Sequence, residues 1–288
     1  MESKAQILSL KPAEHSLLSL SVSKVKTFKD CKAKFRFCYI EKLPRKEWDF
    51  HVFGKFLHEI LEVFHKKIMD GAQEPFHVLM TQSFKQALGN WATKLTAEQK
   101  KESQEILTGY LKQLIEQQVN KTMPTIIDVE KDFYIDIDGR VLLNGFIDRV
   151  QLDTDGVLHV SDYKTTKNKK YLKNDYFQLL TYAYVMCLED PKIERVRTSY
   201  ILLRHGFETI VKEFDRAEIM KIEGMFLEYS QNIHDEKLYR PNPTPLCAYC
   251  DYLDSCEEGK ESQERAAERK GFSKFGATSS KKFGATDW

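Results

Sequence analysis

Between residues 53 and 69, apolar side chains recur every three or four positions. Phe53, Leu57, Ile60, Leu61, Phe64 and Ile68 form one stripe, the pattern of a helix with a single buried face. A shorter helix is predicted over 22–40, behind a cap at Ser21 or Ser23. Segments 75–91 and 96–121 read as two further helices, each polar on one side, and Pro124 ends that stretch. The period then changes. Residues 127–137, 140–151 and 157–164 read as strands, linked by Asp138-Gly139 and Asp155-Gly156 turns. Helical spacing returns at 175–189 and 216–237, with strands predicted over 195–204 and 208–214. Helices, three strands, a helix and more strands imply an α/β core carrying a helical insertion at about 70–123.

The flanks read differently. Residues 1–18 form an N-terminal extension to a domain spanning 19–260. PNPTP at 241–245 is a rigid entry into a cysteine-rich segment, 241–258. Residues 261–288 are charged and then Gly/Ser-rich, and are expected to be a disordered tail. KFGAT occurs in it at 274–278 and again at 282–286, just before Asp287-Trp288.

Composition narrows the function classes. The chain has 288 residues and is 42% hydrophobic, enough for a real core and too much for global disorder. No run approaches the roughly 18 apolar residues of a membrane span, and the N-terminus lacks a signal-peptide core. A cytoplasmic protein is expected, in the host cytoplasm if the source is viral. Lys plus Arg is 44 against 43 Asp plus Glu, a net charge of +1. That excludes a protein basic all over, but not a locally basic groove. Two segments are basic. From Lys24 to Lys46 there are nine Lys and Arg against Asp30 and Glu41, interleaved with Phe28, Phe35, Phe37 and Tyr39. From Lys164 to Lys173, a run that includes Lys167, there is no acid. Each is either a solvated face or a surface that tracks phosphates.

Asp148, in LLNGFIDRV, and Asp162, in VLHVSDYKTTK, are expected at the ends of neighbouring antiparallel strands. Two carboxylates so placed repel unless a divalent cation lies between them. Lys164 leaves the same strand face as Asp162. An ammonium beside a carboxylate-bound metal suits phosphodiester hydrolysis, where the metal activates water and the lysine orients it or offsets developing charge. Gln178 and Tyr182 share one face of the next helix and are placed to contact a phosphate or to hold Lys164. His58 lies on the flank of the 53–69 stripe, with Glu62 and His65 one and two turns later on roughly the same side.

Six cysteines stand at 31, 38, 187, 247, 250 and 256. Cys247, Cys250 and Cys256 have C-x2-C-x5-C spacing, a metal-site pattern one ligand short. A zinc ribbon and unliganded thiols remain alternatives. Cys31 and Cys38 are remote candidates for the fourth ligand, and Cys187, in an apolar helix, reads as core.

Taken in order, these motifs resemble the PD-(D/E)XK nucleases of the RecB and AddB type, a group that also includes CRISPR spacer-acquisition nucleases. The matching segments are SLSVSKVKTFKDCKAKFRFCYIEKL, Gly54 to His58, GFID ending at Asp148, Asp162-Tyr163-Lys164, and Gln178 to Tyr182. Lys32 follows Cys31 where the family often has proline, and Asp162 stands where many CRISPR-associated members have glutamate. The resemblance implies a restriction-endonuclease-like α/β fold, a mixed central sheet flanked by helices. It implies His58, Asp148, Asp162 and the Tyr163 carbonyl as ligands of Mg²⁺ or Mn²⁺, Lys164 as the catalytic lysine, and Gln178 and Tyr182 as accessory residues. It further implies a [4Fe–4S] cluster on Cys31, Cys247, Cys250 and Cys256, joining the N- and C-terminal segments. The function expected is a metal-dependent DNA nuclease, a single-strand exonuclease of recombination, repair or replication. The alternatives are a nuclease that trims CRISPR spacer precursors and a catalytically idle DNA-binding scaffold. The tail, with its duplicated Phe and terminal Trp288, is a candidate docking peptide for a replication or recombination protein.

Overall fold

A computed structural model describes residues 5–9, 17–46, 48–169 and 176–276. The chain forms two units, Met1–Val22 with Glu47–His234, and Ser23–Lys46 with Asp235–Trp288. The first is built on a seven-stranded sheet of β1 (Ala5–Ile7), β2 (Leu18–Leu20), β3 (Thr125–Ile137), β4 (Val141–Leu152), β5 (Leu158–Lys164), β6 (Arg195–Leu202) and β7 (Glu208–Asp215). The spatial order is β1-β3-β4-β5-β6-β7, with β2 also paired to β4. Helix α6 (Phe177–Glu189) makes the crossover that lets β5 and β6 run parallel.

Strand β4 positions the site. One edge pairs with β3 in a long hairpin, Ile137 opposite Val141. Asp138 and Gly139 both take positive φ at its turn, as a tight reversal between twisted strands requires. The other edge is shared. Parallel β2 pairs with residues 141–143, and antiparallel β5 pairs with residues 149–152. Among the described residues, 144–148 have no strand partner on that edge, which leaves a gap in the described sheet.

Helices α3 (Asp49–Met69), α4 (Phe76–Trp91) and α5 (Ala97–Asn120) supply one hydrophobic core cluster. Five of the six predicted stripe residues, Phe53, Leu57, Ile60, Leu61 and Phe64, are wholly inaccessible, as is Phe56, which the stripe did not include, while Ile68 near the end of α3 is only partly buried. Burying each such side chain contributes about 1.5–3 kcal/mol. They cluster with Leu79, Tyr110 and Leu114 of the insertion and with Tyr163, Ile201 and Phe207. Helix α5 starts in a capping box, the Thr96 hydroxyl accepting from the Gln99 N–H while the Gln99 side chain accepts from the Thr96 N–H. Helices α7 (Arg216–Ile219) and α8 (Lys221–Asp235) follow β7. Among the described residues no helix is long and apolar enough to cross a membrane.

Three sequence expectations change. Residues 22–40 are not one helix but α1 (Val22–Asp30), α2 (Lys32–Phe35) and a π-turn, Arg36–Ile40. The break is Cys31, whose extended backbone (φ −160°, ψ 114°) caps α2, its sulfur accepting from the Lys34 N–H. Asp148 and Asp162 are not terminal: Asp148 lies inside β4 and Asp162 precedes the last two residues of β5. Their approach comes from the gap rather than from a hairpin end. Finally, the segment from 261, expected to be disordered, is helical as far as Gly276 in α9 (Glu257–Gly276). Its run of Glu, Lys, Gln, Arg and Ala has high helix propensity, and Glu257 and Glu258 suit the first turn. The second KFGAT copy and Trp288 lie outside the described residues.

Gly145, in the gap, lies under the Phe133 ring: a Cβ there would come within 2.8 Å of it. Gly145→Ala should cost about 1–3 kcal/mol of stability by overpacking, read by chemical denaturation. The loss should shrink when Phe133 is also cut to Leu.

Candidate active site

Four elements bring their side chains to the gap in β4. Helix α3 approaches through Gly54, where a Cβ would stand 3.2 Å from Thr165 Oγ1, just after Lys164. One turn on, His58 Nε2 lies 3.2 Å from the Tyr163 carbonyl oxygen. The carbonyl can only accept, so Nε2 carries the proton and Nδ1 is left with a lone pair. Nδ1 is 3.6 Å from Asp148 Oδ2 and 3.9 Å from Glu130 Oε1. Asp148 Oδ2 accepts from the Tyr163 N–H at 2.7 Å. The carboxylate thus takes over from the β4–β5 ladder, whose last pair is Arg149 with Ser161.

On β5, Lys164 Nζ lies 2.6 Å from Asp162 Oδ2 and donates to Gln178 Oε1 at 3.0 Å. Gln178 Nε2 donates to Asp162 Oδ1 at 2.6 Å and to the Tyr182 hydroxyl at 2.8 Å. Gln178 and Tyr182 therefore hold the lysine and its carboxylate, one of the two roles open to them from sequence. Lys167 is exposed in the loop beyond.

Glu130 was not legible as a site residue from its own surroundings. It stands in β3 with φ 48°, a conformation unusual for a non-glycine and rarer still inside a strand. Residues 129 and 131 pair with 149 and 147, so Glu130 falls opposite Asp148 across the hairpin. The signal was available: 130 and 148 are equidistant from Gly139 at the predicted turn.

The electrostatics of this group are unfavourable without a cation. Burial, then the Asp162 charge, pushes Asp148 well above the usual carboxylate range. Burial, then Asp148, raises Glu130 to about 7. Burial lowers His58, favouring the neutral imidazole. Ligand atoms of His58, Glu130 and Asp148 all lie within 4.8 Å of one another. Asp162 Oδ2 is buried and, although beside Lys164, makes no aligned hydrogen bond. Crowded carboxylates, a free imidazole lone pair and an unsatisfied carboxylate oxygen fit a hard divalent cation such as Mg²⁺ or Mn²⁺.

A buried network supports the site from behind. Arg149 donates to the Tyr110 hydroxyl at 3.2 Å and the Tyr163 hydroxyl at 3.4 Å. Tyr110 donates to His65 Nε2 at 2.7 Å, and His65 Nδ1 donates to the Leu61 carbonyl. His65, placed from sequence on roughly the His58 side of α3, instead faces the core and is held neutral, its pKa lowered to about 3 by burial. Asp153, His159 and Ser199 are also linked by hydrogen bonds, but Ser199 is wholly buried, so this chain of contacts ties strands together.

The second unit gathers the cysteines. Cys31, Cys247, Cys250 and Cys256 line one pocket with Ala33, Phe37 and Leu253. Cys31 Sγ accepts from the Lys34 and Asn242 N–H groups, and Cys247 Sγ from the Thr244 N–H. Cys38 is half-buried and takes a hydrogen bond from Arg45, and Cys187 is core as expected.

A family model described as the PD-(D/E)XK nuclease superfamily matches residues 19–257. The chain belongs to that superfamily. It is 26% identical over 243 residues to one of the subunits of the ATP-dependent helicase/deoxyribonuclease from Streptococcus pyogenes, in serotypes M6 and M18 alike. That match covers 73% of this chain and 21% of each relative, so the chain spans about a fifth of their length. A solved putative exonuclease from Eubacterium rectale matches at 12% identity with a TM-score of 0.49, over 81% of this chain and 86% of that one.

The raised Glu130 pKa sets a pH dependence. Without metal, the folded chain holds a proton that the unfolded chain releases above the ordinary glutamate pKa. Stability is thus highest below about 4.5 for this group and falls as pH rises through about 7. In chelator, melting temperature should decline across that window, and Glu130→Gln should flatten the decline.

Proposed function

We propose that the chain is a DNA nuclease that hydrolyses phosphodiester bonds with Mg²⁺ or Mn²⁺ held at the gap in β4. The observation that carries this reading is the convergence of His58, Glu130, Asp148, Asp162 and Lys164 on one edge of two splayed strands. His58, Asp148, Asp162 and the Tyr163 carbonyl are the proposed metal ligands, with Glu130 added to the set. A divalent ion held by these residues would polarise the phosphate and lower the pKa of the attacking water. Lys164, steered by Gln178 and Asp162, orients that water or offsets charge on the phosphate oxygens. Exposed Lys167, in the loop after β5, receives the phosphodiester backbone in the first unit, and the basic 24–46 segment is a separate candidate for phosphate contact in the second. The aromatic and basic mixture of 24–46 favours single-stranded DNA, and the exonuclease mode rests on the resemblance to the RecB and AddB type alone. The relatives' name couples a helicase to a deoxyribonuclease, and it is the second activity that the residues here can supply. Repair or recombination is the corresponding setting.

We place a [4Fe–4S] cluster on Cys31, Cys247, Cys250 and Cys256. All four line one pocket of the second unit, which supports a shared inorganic core. It would tie Cys31 to a segment more than 200 residues later in the chain, a structural staple.

Asp162→Ala and Lys164→Ala should each abolish Mn²⁺-dependent cleavage of DNA while binding survives. Full wild-type activity in excess chelator would sink the mechanism, and inert wild type with intact binding would favour the scaffold reading. Anaerobically purified protein should be brown, with iron and acid-labile sulfide, whereas a colourless sample holding one zinc would reject the cluster.

A further inference from the structure

Large aromatic side chains are almost all hidden in the first unit. Among its described residues, only two Phe, Tyr or Trp side chains are exposed: Phe50 at 44% and Phe146 at 56%. Both stand on elements that carry the metal-binding group. Phe146 is two residues before Asp148 on β4, about 7 Å along a strand. It falls within residues 144–148, the stretch with no strand partner on its outer edge among the described residues. Phe50 is in the first turn of α3, eight residues before His58, about 12 Å along the helix.

Their surroundings point to the same chemistry. Phe50 stacks on Trp48 with centroids 5.7 Å apart and planes at 25°, and meets His51 edge-on at 4.4 Å. The result is a small aromatic platform partly open to water. Exposed Lys55 lies one turn beyond His51, beside the Gly54 backbone that runs close to Thr165. Opposite Phe146 across the hairpin is exposed Asp132. A carboxylate there repels a phosphate, which leaves the flat face of a base as the ring's natural partner. Exposed rings cost hydration unless something covers them, and unpaired bases are the flat apolar surfaces that a nuclease meets.

We propose that Phe50 and Phe146 are base-stacking residues, two subsites that grip unpaired nucleobases near the cleaved phosphate and so select a single strand over a duplex. This rests on the nuclease reading above. It adds to it a mode of substrate choice: a base already stacked inside a duplex cannot also cover either ring.

The test uses full-length metal-loaded protein, with Lys164→Ala as the background for binding. Anisotropy would be measured on a single-stranded oligonucleotide, the same strand with abasic positions, and a blunt duplex. Base–aromatic stacking of about 1–3 kcal/mol per base corresponds to roughly five- to 150-fold in affinity. Phe50→Ala and Phe146→Ala should each weaken binding of the intact single strand by that order. They should leave duplex binding unchanged and shrink the preference for intact over abasic strands, and Phe→Tyr at either position should restore it. In the cleavage-competent chain the same changes should raise KM on single strands more than they lower kcat. Equal losses on strand and duplex, no loss on either, or full rescue by leucine would overturn the proposal while leaving the nuclease intact. A wild-type chain that neither binds nor cuts DNA would overturn the nuclease reading, and this one with it.

Discussion

Three carboxylates crowded into a half-buried gap cannot all carry charge comfortably without a cation. Glu130, Asp148 and Asp162 share the edge of β4 with one lysine and a neutral imidazole. Burial and then a neighbouring carboxylate, Asp148 for Glu130 and Asp162 for Asp148, raise the first two, opposed at Asp148 by the Tyr163 N–H and Lys164. The rest of the first unit can be understood as the means of holding these groups together. Strands β2 and β5 stop short of one another along β4, and the gap that results is where the carboxylates meet. The positive φ at Glu130 is local backbone strain placed at the same spot.

Support comes from behind and from the side. The guanidinium of Arg149, the residue after Asp148, is fixed by hydroxyls from α5 and β5, and through Tyr110 and His65 reaches α3. The same three elements bear His58, the Tyr163 carbonyl and the insertion core, so packing of the helices and geometry of the site are one problem. Arg204 adds a clamp, donating to Glu102 on α5 and to the Thr165 carbonyl just past Lys164. The helical insertion is thus a buttress as well as a core.

Much of this was legible in the sequence because the signals were local. The 53–69 stripe, the Asp138-Gly139 turn and the Gln178/Tyr182 spacing each follow from helix or hairpin periodicity, and each element stands where its pattern put it. What was not legible depended on pairing at a distance. The partition of β4 between β2 and β5 cannot be read from β4 itself, which is why Asp148 was expected at a strand end. Three-residue strands β1 and β2 carry too little alternation to register. Glu130 was visible only by counting outward from the turn. Cys31 broke a predicted helix because its sulfur caps one, a use of cysteine that propensity does not describe. The helix beyond residue 261 was missed because polar composition was read as disorder, although its residues are good helix formers.

The central claim is that the β4 gap is a divalent-metal site with Asp148 at its heart. Calorimetric titration of Mn²⁺ into metal-free protein near pH 7 tests it most directly, comparing wild type with Asp148→Asn. Wild type should bind with proton release, and Asp148→Asn should weaken binding by at least about 100-fold, more than loss of a residue that only orients a ligand typically costs. Equal affinity and equal proton release in the two proteins would contradict it.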